Sequence, residues 1–261
     1  MVEIDFFDYS IFAILILLGV SFLAGFIDSI AGGGGLLIVP TLMLFGLPAQ
    51  STLGTSKFIS TLGTAIAAFN FIRAKTIVWK LIVCGIWFTL AGSYIGAKSV
   101  LLIAEETVAV IIVVLIPVVV LIVLIPKPRK PNIQQEWSKL RLCFYIPVVC
   151  FMTGFYDGFF GPGIGIILIL AFHILFDMSL TLASGTAKVF NLASNVGAVM
   201  TFLFASKCIM AIALPMAASN MIGNYVGSKL AIKKGDILVR YMLIISALFL
   251  VATLVYKFLI N

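Results

Sequence analysis

Gly25-Phe26-Ile27-Asp28-Ser29-Ile30-Ala31-Gly32-Gly33-Gly34 is the stretch that decides how this chain is read, because it returns downstream as Gly154-Phe155-Tyr156-Asp157-Gly158-Phe159-Phe160-Gly161-Pro162-Gly163. Two more blocks return in the same order. Gly54-Thr55-Ser56-Lys57 reappears as Gly185-Thr186-Ala187-Lys188, and Gly92-Ser93-Tyr94-Ile95-Gly96-Ala97-Lys98 as Gly223-Asn224-Tyr225-Val226-Gly227-Ser228-Lys229. The first block recurs at an offset of 157 − 28 = 129, the other two at 188 − 57 = 131. A duplicated half that carries a carboxylate, a glycine cluster and a lysine inside apolar sequence reads first as a transporter.

The surroundings of the repeats fix the solvent. Hydrophobic residues make up 62% of the 261 positions and charged residues only 10%, whereas a soluble domain has about a quarter of its residues charged. The apolar stretches are continuous rather than alternating, so they read as membrane helices and not as barrel strands. The net charge of +7 suggests nucleic acid, but the cations sit in short loops between apolar spans, where they set membrane orientation. Met1 to Ser10 carries Glu3, Asp5 and Asp8 and no cation, which is not the start of a cleavable signal peptide. The four cysteines form no CxxC pair, so neither a disulfide framework nor a metal site is expected. No cofactor is implied.

Five apolar segments per half follow from the pattern. They run over Ser10 to Phe26, Leu36 to Leu47, Lys57 to Ile72, Trp79 to Lys98 and Val108 to Ile125. Their counterparts are Leu142 to Tyr156, Ile164 to Phe176, Lys188 to Phe204, Cys208 to Leu230 and Ile237 to Leu259. The second of each set is too short for a full crossing of about 20 residues and follows a glycine cluster, so it is read as short or re-entrant. The expected fold is therefore an all-α polytopic membrane protein: a first repeat over 1–125, a basic, proline-rich cytoplasmic linker over 126–140, and a second repeat over 141–261. Loop charge points to inverted repeats. Arg73, Lys75 and Lys80 crowd one loop of the first half, while in the second half Lys229, Lys233, Lys234 and Arg240 crowd the following loop instead. This places the N-terminus outside the cell membrane and the linker inside.

Lys57 and Lys188, each after Gly-Thr-x and at the start of an apolar segment, suggest an oxyanion site at a helix N-terminus: Gly54 and Gly185 admit the ligand, Thr55 and Thr186 donate, and lysine adds charge. Asn191 and Asn195 follow Lys188 on a similar helix face and either line the same cavity or bond between helices. Asp28 and Asp157 serve as coupling carboxylates or hold the helix breaks. Gly32, Gly33, Gly34, Gly161 and Gly163 offer unwound backbone, which survives in a membrane only where it lines protein or a cavity. The GxxxG pairs Gly92/Gly96 and Gly223/Gly227 are assigned to helix packing. His173 has no counterpart in the first half and reads as a packing residue.

At these blocks, with Asn191, the chain resembles the TauE/SafE sulfite exporter family of membrane permeases along essentially its whole length. The resemblance implies transport, by export or uptake, of small sulfur-containing anions such as sulfite, sulfonates or thiosulfate, with some members handling carboxylates. The expected function is a secondary transporter, an exporter of such anions, that alternates access between its two repeats. Its partners are a small anionic substrate and the lipid bilayer, with proton coupling and a homodimer left open and no nucleic acid. Two alternatives use the same residues: a passive anion channel, and an intramembrane aspartyl protease built on Asp28 and Asp157.

Overall fold

The computed structural model describes residues 11–112, 114 and 141–245. The first half holds α1 (Ile11–Ala31), α2 (Gly35–Leu44), α3 (Ala49–Arg73), α4 (Trp79–Leu101) and α5 (residues 105–112). A π-helical turn at Arg141–Tyr145 leads into α6 (Ile146–Phe159), followed by α7 (Ile164–Phe176), α8 (Leu180–Phe204), α9 (Met210–Lys234) and α10 (residues 236–245). No strand occurs among the described residues. The linker over 126–140 and most of the fifth segment of each half lie outside them.

The surface is apolar and the interior carries charge. Trp87 is 72% exposed and Phe204 85%, while Lys57, Asp157 and Lys188 are buried. That inversion of the soluble pattern belongs to a protein solvated by lipid. Three described helices, α1, α4 and α8, are both long and apolar enough to cross a bilayer. The protein is a multi-pass membrane protein. α3 and α9 match them in length at 25 residues each, but bury small and polar side chains against their neighbours.

The short segments turn back. At 1.5 Å per residue, the 10 residues of α2 and 13 of α7 reach about 15 and 20 Å, short of a hydrocarbon core of about 30 Å. α2 folds back along α1: Gly34 packs on Ala24 and Asp28, and Leu42 joins Leu17 in one apolar cluster. α7 folds back along α6, placing Phe172 and Phe176 in the cluster that holds Ile146 and Cys150. The tips of the two hairpins meet, with Gly32 against Gly165 and Gly35 against Pro162. The left-handed backbone positions recur in register, Gly32 with Gly161, Gly46 with Asp177 and Lys75 with Ser206. Gly163 is left-handed too, at an offset of 163 − 32 = 131 from Gly32, so the two-residue change in offset falls between Asp28 and Gly46.

Each half packs on the other by the same contacts with partners exchanged. α1 lies along α9, where a Cβ at Gly223 or Gly227 would collide with the carbonyls of Phe22 or Phe26. α6 lies along α4, where Gly92 and Gly96 meet Phe151 and Phe155 in the same way. The GxxxG pairs are thus closest-approach points between halves. Gly54 of α3 abuts Lys207 beyond the end of α8, and Gly185 of α8 abuts Thr76 beyond the end of α3. The equivalent helices α3 and α8 therefore run antiparallel, side by side.

Two helices begin earlier than composition suggests. α3 starts at Ala49 and α8 at Leu180, about two turns before Lys57 and Lys188. Pro48, with ψ 148°, sets the entry to α3. Ser179 accepts from Leu182 N–H at 3.3 Å at the entry to α8. There Asp236 also accepts from the free N–H groups of Leu180 at 3.2 Å and Thr181 at 2.8 Å.

Candidate functional site

Lys57 projects from the third turn of α3 into the interface between the halves. Its Nζ donates to Asp157 Oδ1 at 2.5 Å and to Asn195 Oδ1 at 3.1 Å. Asp157 is in the last turn of α6, and its other oxygen accepts from Ser194 Oγ. Asn195 in turn donates to Asn191 Oδ1 at 3.3 Å. The second pair mirrors the first: Lys188 Nζ donates to Asp28 Oδ2 at 2.8 Å, and Asp28 Oδ1 accepts from the N–H of Gly34 at 3.3 Å. Each lysine thus reaches across to the aspartate of the other half. Burying such a pair costs several kcal/mol per ion in desolvation, which only good geometry and further hydrogen bonds offset.

A cavity of about 20 Å³ lies between the hairpin tips, reached by Lys57, Ser60, Asp157, Asn191, Asn195 and the Asp28 carboxylate. Gly32, Gly35, Gly161, Gly163 and Ile164 bring backbone to its wall. That volume is enough for about one water molecule. At Gly161, φ +95° excludes an ordinary side chain, and a Cβ would stand 2.9 Å from Lys57 Nζ. Glycine is therefore required there twice, for the turn and for the lysine's room. Tyr156 braces the same turn by donating its hydroxyl to Pro162 O at 2.9 Å.

The structure distributes the sequence candidates unevenly. Lys57, Asp28, Asp157, Asn191, Asn195, Gly32, Gly161 and Gly163 meet at the cavity, and Gly33 and Gly34 form the turn beside it. Lys188 is fully buried behind Asp28. Thr55 and Thr186 face elsewhere: Thr55 Oγ1 accepts from Ile209 N–H and Thr186 Oγ1 from Val78 N–H, both at 3.1 Å, fixing the entries to α9 and α4. Gly54 and Gly185 are close-packing positions at those same crossings. The helix N-termini at the cavity are those of α2 and α7, not of α3 and α8, whose N–H groups near the lysines are spent within the helix. His173 Nδ1 pairs with Met178 O at 2.6 Å inside the α7 cluster. Ser60 and Ser194 were not among the candidates. Both lie on the lysine-bearing helices, and extending the Asn191 and Asn195 face by its intervening residues reaches Ser194.

Two positive half-helix ends, a lysine, two amides and the carboxylates of Asp28 and Asp157 surround this one small cavity. Each aspartate has a lysine, rather than the other aspartate, as its close partner.

The model of the family described as sulfite exporter TauE/SafE matches residues 17–254. The chain belongs to this family of membrane transport proteins. It is 36% identical over 246 residues to the probable membrane transporter protein YfcA of Escherichia coli K12, covering 92% of this chain and 90% of that one. A probable membrane transporter protein of Haemophilus influenzae is 33% identical over 251 residues, with 95% and 97% covered. The probable membrane transporter protein ORF9 of a Sinorhizobium species is 31% identical over 225 residues, with 86% and 85% covered. No solved structure matches the chain.

Proposed function

We propose that the protein is a secondary transporter that exports small sulfur-containing or organic anions, sulfite, sulfonates or thiosulfate among them, by alternating access between two inverted repeats. The observation that carries this reading is the cavity between the hairpin tips, where Lys57 faces two half-helix N-termini. A pair of equivalent helices lying antiparallel supports an axis in the membrane plane, and the loop charges support an N-terminus outside with the linker in the cytoplasm.

Room for one water is too little for a multi-atom oxyanion, so the present arrangement is a closed one. An anion reaches Lys57 only by parting it from Asp157. Charge bookkeeping then constrains the cycle. Lys57, Lys188, Asp28 and Asp157 sum to zero, and a bound monoanion leaves one uncompensated charge in a low-dielectric interior. A proton on a carboxylate cancels it. Both carboxylates line the cavity, and Asp28 is the more accessible of the two, its side chain 14% exposed against 1% for Asp157. Lys57 therefore receives the anion and Asp28 carries the accompanying proton, while the halves rock about the contact of Gly32 with Gly165.

The test is flux of sulfite, thiosulfate, a sulfonate and a short carboxylate into vesicles holding purified protein. Replacing both Lys57 and Lys188 by Met abolishes it. Unchanged flux in a folded double variant overturns the assignment. A passive channel is the second reading, and flux indifferent to an imposed proton gradient selects it.

A further inference from the structure

The last turns of α3 and α9 enclose a second, larger space that plays no part in the site above. It is a groove of about 540 Å³ with Ile66, Phe69 and Ile232 on its apolar walls and Arg73, Tyr225 and Lys229 at its polar end. Asn70, also at its wall, is committed to Ser228, donating to its Oγ at 2.8 Å. Arg73 and Lys229 are exposed, and among the described residues no carboxylate stands within ion-pair distance of either. Lys229 lies over the Tyr225 ring, 4.1 Å from its centroid, and meets the same residue's hydroxyl. This holds the ammonium beside the groove instead of letting it extend freely into water.

We propose that this groove binds one anionic phospholipid, with its phosphate between Arg73 and Lys229 and an acyl chain along Phe69 and Ile66. The chemistry requires both ends. Arginine's planar fork suits phosphate oxygens and lysine adds a point charge. The apolar walls belong to helix faces that are themselves lipid-facing, with Phe69 59% and Ile222 58% exposed. A soluble phosphate would leave those walls unused. A basic pocket between membrane helices is a form headgroup sites take.

The pseudo-symmetric position sharpens the assignment. Tyr94 and Lys98 repeat the tyrosine–lysine pair, with Lys98 4.6 Å from the Tyr94 centroid. The residue matching Arg73 there is Phe204, and the one matching Phe69 is Met200. One cation in place of two offers a phosphate fewer charge-assisted donors and no planar fork. The site thus exists on one face of the bundle, the face where Lys233 and Lys234 of α9 also emerge, and selects lipid of the leaflet it meets.

Native mass spectrometry of the full chain, delipidated in neutral detergent and titrated with dioleoyl phosphatidylglycerol, dioleoyl phosphatidylcholine or inorganic phosphate, tests this. Phosphatidylglycerol is retained in preference to phosphatidylcholine. Its apparent affinity falls about tenfold or more in R73Q/K229Q, given roughly 1 kcal/mol per basic contact. K98Q, at the matching position, leaves binding unchanged, and R73K retains more of it than R73Q. Because both residues are surface-exposed, an unchanged elution profile of R73Q/K229Q certifies its fold. Equal retention of the two lipids, or undiminished phosphatidylglycerol binding in a folded R73Q/K229Q, overturns the proposal. So does inorganic phosphate displacing the lipid at equal concentration.

Discussion

Lys57–Asp157 and Lys188–Asp28 occupy equivalent places, yet the first is enclosed in a side-chain network and the second is nearly bare. Asp157 is held by Ser194 as well as Lys57, and Lys57 by Asn195. The residues matching Asn191, Ser194 and Asn195 in the first half are Ser60, Gly63 and Thr64. Gly63 cannot be a serine there, because a Cβ would collide with the Asn220 side chain of α9. Thr64 Oγ1 is buried with no partner. The second pair gains only the N–H of Gly34. Exposure follows the same division: Lys57 and Asp157 of the first pair both line the cavity, whereas of the second pair only Asp28 does, with Lys188 buried behind it. Duplication supplied two copies of one ion pair, and the helices packed around them gave the copies different surroundings.

Removing the lysines separates the copies most strongly. Lys57→Met leaves Asp157 enclosed and uncompensated, a loss of about 3–5 kcal/mol for a broken buried pair. Lys188→Met costs less, since Asp28 keeps its backbone donor and its access to the cavity. Denaturation of the two purified variants measures the gap, and Lys57→Met combined with Asp157→Asn recovers stability without recovering anion flux. Equal losses in the two single variants erase the distinction between the copies.

The carboxylates give the next effect. Asp28→Asn vesicles lose the response of anion flux to an imposed pH gradient, whereas Asp157→Asn lowers stability first. A gradient response that survives in Asp28→Asn moves the coupling proton elsewhere.

The smallest effect is one in which the halves agree. Thr55→Val and Thr186→Val each delete one hydrogen bond to the start of a helix of the other half, at about 1 kcal/mol. Both thermal shifts are small, Thr186→Val losing in addition the bond its hydroxyl donates to Leu182 O at 2.8 Å, and flux persists in both. Loss of flux in either one restores that threonine to the substrate path.

The repeats, the membrane class and the two re-entrant segments were legible because glycine clusters and apolar length are local signals. The inversion expected from loop charge remains a proposal, supported by the antiparallel run of α3 and α8. The starts of α3 and α8 were not legible. Gln50, Ser51, Thr52, Gly54 and Ser56 look like loop by composition, and so do Ser184, Gly185 and Thr186. Gly54 and Gly185 are helical and small because they are pressed against the other half, at Lys207 and Thr76, while Gln50 is helical and polar because it donates to the carbonyls of Val100 and Ile103 within its own half. In lipid, close packing favours small residues over large apolar ones. A membrane helix buried in protein therefore resembles a loop in composition. The same fact moved the threonines from ligand donors to helix braces, and gave the cavity the half-helix ends of α2 and α7.

The exchange of lysines across the halves also bears on ancestry. Neither half neutralises its own lysine or its own aspartate, so a chain of one half alone would carry two buried charges without partners. Two such chains inserted in opposite senses would satisfy both. A single-repeat chain of this kind would be complete only when paired with a second. Severed at the linker and produced from two genes, the present halves should find each other for the same reason.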